Sequence, residues 1–256
     1  MTIGPIVTCG GSYMTPARPG HDLAGCHFSE IIADKLGTTV IALGNGGCSN
    51  FSIALQVEAA LKIAKPRPSM ILMGNNPYDR IEIPLQQEIP HPGISDMLYH
   101  ISDFITYHRT ENPKFISTSL QDFFDEKHLA HWHKEMPDTD KFVQPVNIYF
   151  ELLYNHNLKR KLDELICYYY YHQLHISKIP YFICHESIMD IAVICPWISN
   201  KSGLNKPYYL AEEFLKIIED DKGWKGSSPF HTSKKCQEKL ANLILERYEK
   251  NPNMWR

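Results

Sequence analysis

Between residue 4 and about residue 76, three short apolar runs alternate with amphipathic segments. The runs Ile6-Val7-Thr8-Cys9, Thr39-Val40-Ile41-Ala42-Leu43 and Met70-Ile71-Leu72-Met73 are rich in β-formers and each is followed by glycine, which predicts three strands. Between them, Phe28, Ile31, Ile32 and Leu36 share one helical face, as do Ile53, Val57, Leu61 and Ala64. Strands alternating with helices build a parallel sheet covered on both faces, a three-layer α/β arrangement.

The pattern changes from Pro77 to about Lys178, where proline, histidine and aromatic residues and long helical spacings dominate and no strand is expected. A long helix is predicted from about Asn147 to His175, with Leu153, Leu158, Leu162 and Leu165 among its apolar positions. The α/β rhythm resumes with a strand at Pro180-Tyr181-Phe182-Ile183-Cys184 and helices over about Tyr209–Asp220 and Ser233–Lys250, the last with Leu240, Leu243, Ile244 and Tyr248 near helical spacing. The expectation is one α/β domain over residues 1–256, interrupted at about 80–178 by a helical insertion. An insertion of about 100 residues far exceeds an ordinary connection and suits a lid or a partner surface.

Composition narrows the function classes. With 43% hydrophobic residues, the 256-residue chain can bury its own core without covalent staples. A formal charge of −3 and no long Lys/Arg run remove the electrostatic footprint of a nucleic-acid or anionic-membrane binder. Cys9, Cys26, Cys48, Cys167, Cys184, Cys195 and Cys236 form no CxxC spacing, as expected for reduced thiols. The start MTIGPIVTCGG lacks the basic and long apolar portions of a signal peptide, and no run is long enough to span a bilayer. A cytoplasmic location is therefore expected; oligomeric state is left open.

Chemistry concentrates where a parallel sheet collects ligands, beyond the carboxyl ends of its strands. Gly10-Gly11-Ser12 follows the first strand, Gly44-Asn45-Gly46-Gly47-Cys48 the second and Gly74-Asn75-Asn76 the third. A hydroxyl, flexible backbone N–H groups and a side-chain amide are the parts that acyl transfer uses: a nucleophile and donors for a tetrahedral oxyanion. A serine also needs a base, and His231 stands just before the last predicted helix. Each feature has a plainer reading. Ser12 and Asn76 suit turns or caps, and the glycine cluster suits a tight strand-to-helix turn. Cys48 near a helix start is a rival nucleophile, or a small buried apolar residue. His128, His131 and His133 invite a metal reading, but they have no evident fourth ligand and better suit a surface or packing role. Tyr168-Tyr169-Tyr170-Tyr171 covers all sides of a helix and suits packing.

Gly10-Gly11-Ser12-Tyr13, Leu43-Gly44-Asn45-Gly46-Gly47, Gly74-Asn75-Asn76 and Ser228-Pro229-Phe230-His231, in this order, resemble the four blocks of the SGNH/GDSL hydrolase family. The resemblance covers roughly residues 4–80 and 178–250 and implies a flavodoxin-like strand order. It implies Ser12 as nucleophile and His231 as general base. The backbone N–H groups of Ser12 and Gly47 and the Asn76 amide would form the oxyanion hole. The substrate would be a small-molecule, glycan or lipid acyl ester, with no metal or organic cofactor. The family pattern has aspartate where this chain has Gly11, Pro77 and Ser228. The last of these normally orients the histidine. Three alternatives follow: a Ser-His dyad oriented by Ser228 or a backbone carbonyl; an acid from elsewhere, namely Asp190, Asp220 or Asp221; or a binding protein that keeps the fold without catalysis. Passing the acyl group to an alcohol, as an acyltransferase does, remains open as well.

Overall fold

The computed structural model describes residues 3–17, 23–44, 48–63, 65–76, 148, 152–185, 209–221 and 232–250, together with the backbone of 80–84 and 104–108. Four parallel strands, β1 (Ile6–Cys9), β2 (Val40–Ala42), β3 (Met70–Gly74) and β6 (Tyr181–His185), form a sheet in the order β2-β1-β3-β6. Ile183 also forms an isolated parallel bridge to Tyr209 beyond β6. This is an α/β protein, with a four-stranded all-parallel sheet covered by helices on both faces, as the alternation of strands and helices implied.

The alternation of side chains along each strand decides which helix covers which face. Val7, Cys9, Ile71, Met73, Tyr181 and Ile183 point one way, into a core closed by α2 (Asn50–Lys62) and α3 (His156–Ser177). Ile6, Met70, Leu72, Phe182 and Cys184 point the other way, against α1 (Phe28–Leu36), α4 (Ala211–Glu219) and α5 (Lys234–Lys250). Both faces of the central strands are buried, hence their near-continuous apolar runs.

The helix ends follow local chemistry. The side chain of His27 caps α1 in a reciprocal box with Glu30, and Gly37 closes the helix in the left-handed region at φ 64°. Ser49 caps α2 by accepting the N–H of Phe51, and Asn155 caps α3 by accepting that of Leu158.

Two findings depart from the sequence expectation. Within the segment read as strand-free, β4 (Arg80–Pro84) and β5 (Phe104–His108) pair antiparallel, Arg80 opposite His108. The sequence RIEIP alternates polar and apolar residues and FITYH is β-branched and aromatic, but the surrounding prolines and histidines mask that short period. The second departure concerns α3, which begins at His156 and buries Asp163, Cys167, Tyr170, Tyr171 and Leu174. The leucines named above face out: Leu153, Leu158, Leu162 and Leu165 are all exposed. The tyrosine run divides accordingly, Tyr170 and Tyr171 entering the core and Tyr168 and Tyr169 remaining exposed. The metal reading of His128, His131 and His133 lies outside the described residues, among which no group of side chains is arranged to hold a metal ion.

Candidate functional site

Strand β2 lies on one side of β1 and β3 on the other, with α1 and α2 on opposite faces of the sheet. The chain therefore reverses its winding between β1 and β3, and the crevice at their carboxyl ends is the topological switch point where open α/β sheets bind ligands. Ser12 follows β1 there and Asn76 follows β3.

The Ser12 turn is held from every side. Gly10 has φ 142°, a conformation side chains avoid, and a Cβ there would lie 2.6 Å from Met14 Cγ and 2.9 Å from the Gly74 carbonyl oxygen. Its N–H donates to Gln56 Oε1 at 2.6 Å, and its carbonyl accepts the Cys48 thiol at 3.3 Å. A Cβ on Gly11 would fall 2.5 Å from Asn76 Oδ1 and 2.8 Å from Nδ2. The Asn76 amide thus fills the space that a side chain before Ser12 would need, which accounts physically for glycine at position 11.

Ser12–Met14 form a single 3₁₀ turn, closed by Met14 N–H to Gly11 O at 2.9 Å and Thr15 N–H to Ser12 O at 3.2 Å. Gly11, not Ser12, occupies the cap position; of the plainer readings of Ser12, the cap does not hold and the turn residue does. Among the described residues, none hydrogen-bonds the half-buried Ser12 hydroxyl.

The far side of the turn rests on two histidines. His27 is fully buried, with Nε2 3.1 Å from the Tyr13 carbonyl oxygen and Nδ1 2.7 Å from Ser29 Oγ. Nδ1 also accepts the Ser29 N–H at 3.3 Å, which assigns the ring proton to Nε2 as donor to Tyr13. Burial pushes the His27 pKa down to about 4, with the Tyr13 carbonyl opposing the shift. His185, at the end of β6, stacks on the Tyr13 ring with centroids 4.5 Å apart and planes 17° apart. A register shift at Met73/Gly74 sets His185 opposite Gly74, and its Nδ1 lies 3.4 Å from the Asn75 carbonyl oxygen. Burial also raises the Tyr13 phenol pKa above its ordinary value.

Asn76 is 5% exposed. Its Nδ2 donates to the Cys48 carbonyl at 2.7 Å and lies 3.4 Å from Cys48 Sγ. Asn50 grips its backbone twice, accepting the Asn76 N–H at 3.0 Å and donating Nδ2 to the Asn76 carbonyl at 2.9 Å. The same Nδ2 reaches Asp163 Oδ2 at 3.1 Å, and Asp163 pairs with Lys159. Cys48 is buried at 1% exposure, with its thiol engaged by Gly10. Here it packs and braces the turn instead of presenting a nucleophile.

The structure thus brings Ser12 and Asn76 together through Gly11. Gly47, His231, Ser228 and Asp190 lie outside the described residues. Asp220 is exposed at the C-terminus of α4. Asp221 accepts both the N–H and the hydroxyl of Ser233 at 2.6 Å, anchoring the start of α5. Thr232 is buried, and its hydroxyl accepts Gln237 Nε2 at 2.5 Å, while Gln237 Oε1 accepts the Phe28 N–H at 2.7 Å. Through Gln237 and the His27–Phe28 junction, Thr232 is linked to the Tyr13 carbonyl. Sequence reasoning assigned none of His27, Gln56, Asn50, Asp163 and His185 to the site. A polar residue inside an otherwise apolar helical stripe, as Asp163 is, was the available signal.

No protein-family model matches the chain, and no curated protein matches it. None of the six described cysteines forms a disulfide. Among the described residues no helix is long and apolar enough to cross a membrane.

Proposed function

We propose that the chain is a serine hydrolase of the SGNH/GDSL type, cleaving an ester or related acyl bond. The observation that carries this reading is Ser12 itself, a half-buried residue at the β1/β3 switch point on a turn whose backbone is pinned at Gly10, Gly11 and Tyr13. Such bracing holds a reacting atom in place before substrate arrives, the condition under which positioning lowers a barrier. Ser12 attacks the acyl carbon while His231 takes its proton. The tetrahedral oxyanion is held by the N–H groups of Ser12 and Gly47 and by the Asn76 amide. His231 then protonates the leaving group, and water activated by the same imidazole releases the acid. The tether on Thr232 supports His231 as base, because it holds the next residue in the chain to the element that binds the Tyr13 carbonyl. Tyr13 and His185 present a stacked aromatic wall to the substrate. An alcohol in place of water would make the same groups an acyltransferase.

A second reading, a binding protein that keeps the fold without catalysis, is favoured by the engagement of Asn76 Nδ2 with the Cys48 carbonyl and thiol. In a catalytic cycle the weaker sulfur contact is the one exchanged for the oxyanion. Turnover of p-nitrophenyl acetate separates the readings. Hydrolysis requires activity abolished by Ser12→Ala and reduced on the order of 10²–10⁴-fold by His231→Ala. Turnover unaffected by Ser12→Ala contradicts it.

A further inference from the structure

Asp163 is fully buried on a helix whose other inward residues are Cys167, Tyr170, Tyr171 and Leu174. Taking a carboxylate out of water is costly even when it is paired, and an apolar residue of similar size commonly serves stability as well or better. Packing of α3 against the sheet therefore does not account for the group. Its bonds do point somewhere. One oxygen pairs with Lys159; the other accepts Asn50 Nδ2 at 3.1 Å, and Asn50 closes a two-bond clasp on the peptide of Asn76. Asn76 in turn packs its amide on Gly11, the residue before Ser12.

We propose that Asp163 is a positioning residue of the Ser12 site, fixing the Asn50 amide so that its clasp sets the Asn76 side chain beside the nucleophile turn. A primary amide rotated by 180° offers its donor and acceptor in exchanged places, and the reversed Asn50 amide would face the N–H and carbonyl of Asn76 with like against like. Of the two polar atoms of the Asn50 amide only Nδ2 can donate to the carboxylate, so Asp163 favours the one orientation that closes the clasp. The helix α3 thereby couples to the chemistry at the sheet edge without contributing a group to it. The geometric part of this inference stands on the hydrogen bonds alone; its catalytic consequence rests on Ser12 acting as nucleophile.

Two readouts on the full chain test the two parts separately. The first is amide hydrogen exchange at Asn76, followed by NMR. Asp163→Leu, which keeps size but removes the acceptor, is expected to speed exchange of the Asn76 N–H by about tenfold or more while leaving Ile71 in the sheet protected. Asp163→Asn, which can still accept from Asn50, restores most of the protection. Asn50→Ala reproduces the Leu effect and adds nothing to it when the two are combined, which gives a second route if Asp163→Leu folds poorly. The second readout is p-nitrophenyl acetate turnover, where Asp163→Leu is expected to lower kcat about tenfold with KM unchanged, and to lower it no further in an Asn76→Ala background. Unchanged Asn76 exchange in a folded Asp163→Leu protein overturns the proposal, whatever Asn50→Ala shows. So does a kcat loss fully additive with Asn76→Ala. Faster Asn76 exchange in a protein whose Ser12 is inert supports the positioning role and rejects the hydrolase reading instead.

Discussion

At the scale of single residues, the site is organised by small side chains that make room and buried polar ones that hold. Gly11 gives way to the Asn76 amide, so Gly11→Ala forces a Cβ to 2.5 Å from Oδ1. Overpacking of this kind costs about 1–3 kcal/mol, and the expected outcome is a lower Tm with ester turnover reduced more than stability alone explains. His27 makes a different prediction. Its pKa is lowered from 6.5 to about 4 in the folded protein, so between those values the unfolded chain binds more protons than the native one. The stability due to neutral His27 is fully present above about pH 6.5, falls as pH drops toward 4 and levels off below. The interval corresponds to about 3 kcal/mol for a group this buried. Urea unfolding from pH 7.5 to 4 shows the slope, and His27→Gln flattens it; an unchanged slope in the variant assigns the acid sensitivity elsewhere. Little of this was legible beforehand. Ser12 and Asn76 were visible because strand-end glycines and amides advertise themselves, whereas His27 and Gln56 act through contacts that join distant parts of the chain, such as Gly10 with Gln56.

Among the elements, α3 shows how periodicity can select the wrong face. Leu158, Leu162 and Leu165 form an apolar stripe, yet the sheet receives Cys167, Tyr170, Tyr171 and Leu174. Apolar spacing alone does not distinguish the two stripes; the inward one joins residues of α2, β3 and β6 in a single core. The contrast can be measured on one side-chain type. Leu174→Ala, from a fully buried site, is expected to cost about 2–5 kcal/mol in urea unfolding. Leu162→Ala, at 47% exposure, should fall within about 0.5 kcal/mol of the parent. Equal effects contradict the observed rotation of the helix. By contrast, β1 and β3 were readable in advance, since a strand buried on both faces carries a continuous apolar run whichever face is considered. The β4–β5 pair lacked such a run and went unread.

For the whole molecule, the order β2-β1-β3-β6 converts a local pattern into a functional address. Alternating strands and helices implied a parallel sheet; the reversal of winding between β1 and β3 places Ser12 and Asn76 at one crevice, braced by α1, α2 and, through Asp163, by α3. The hydroxyl of Ser12 is the element of this arrangement to which a reaction is assigned, and covalent capture tests it directly. Intact-mass analysis after incubation with a fluorophosphonate, followed by peptide mapping, is expected to show a single adduct on Ser12 that is absent in Ser12→Ala and strongly slowed in His231→Ala. No adduct on the folded protein, or an adduct that persists in Ser12→Ala, contradicts the account.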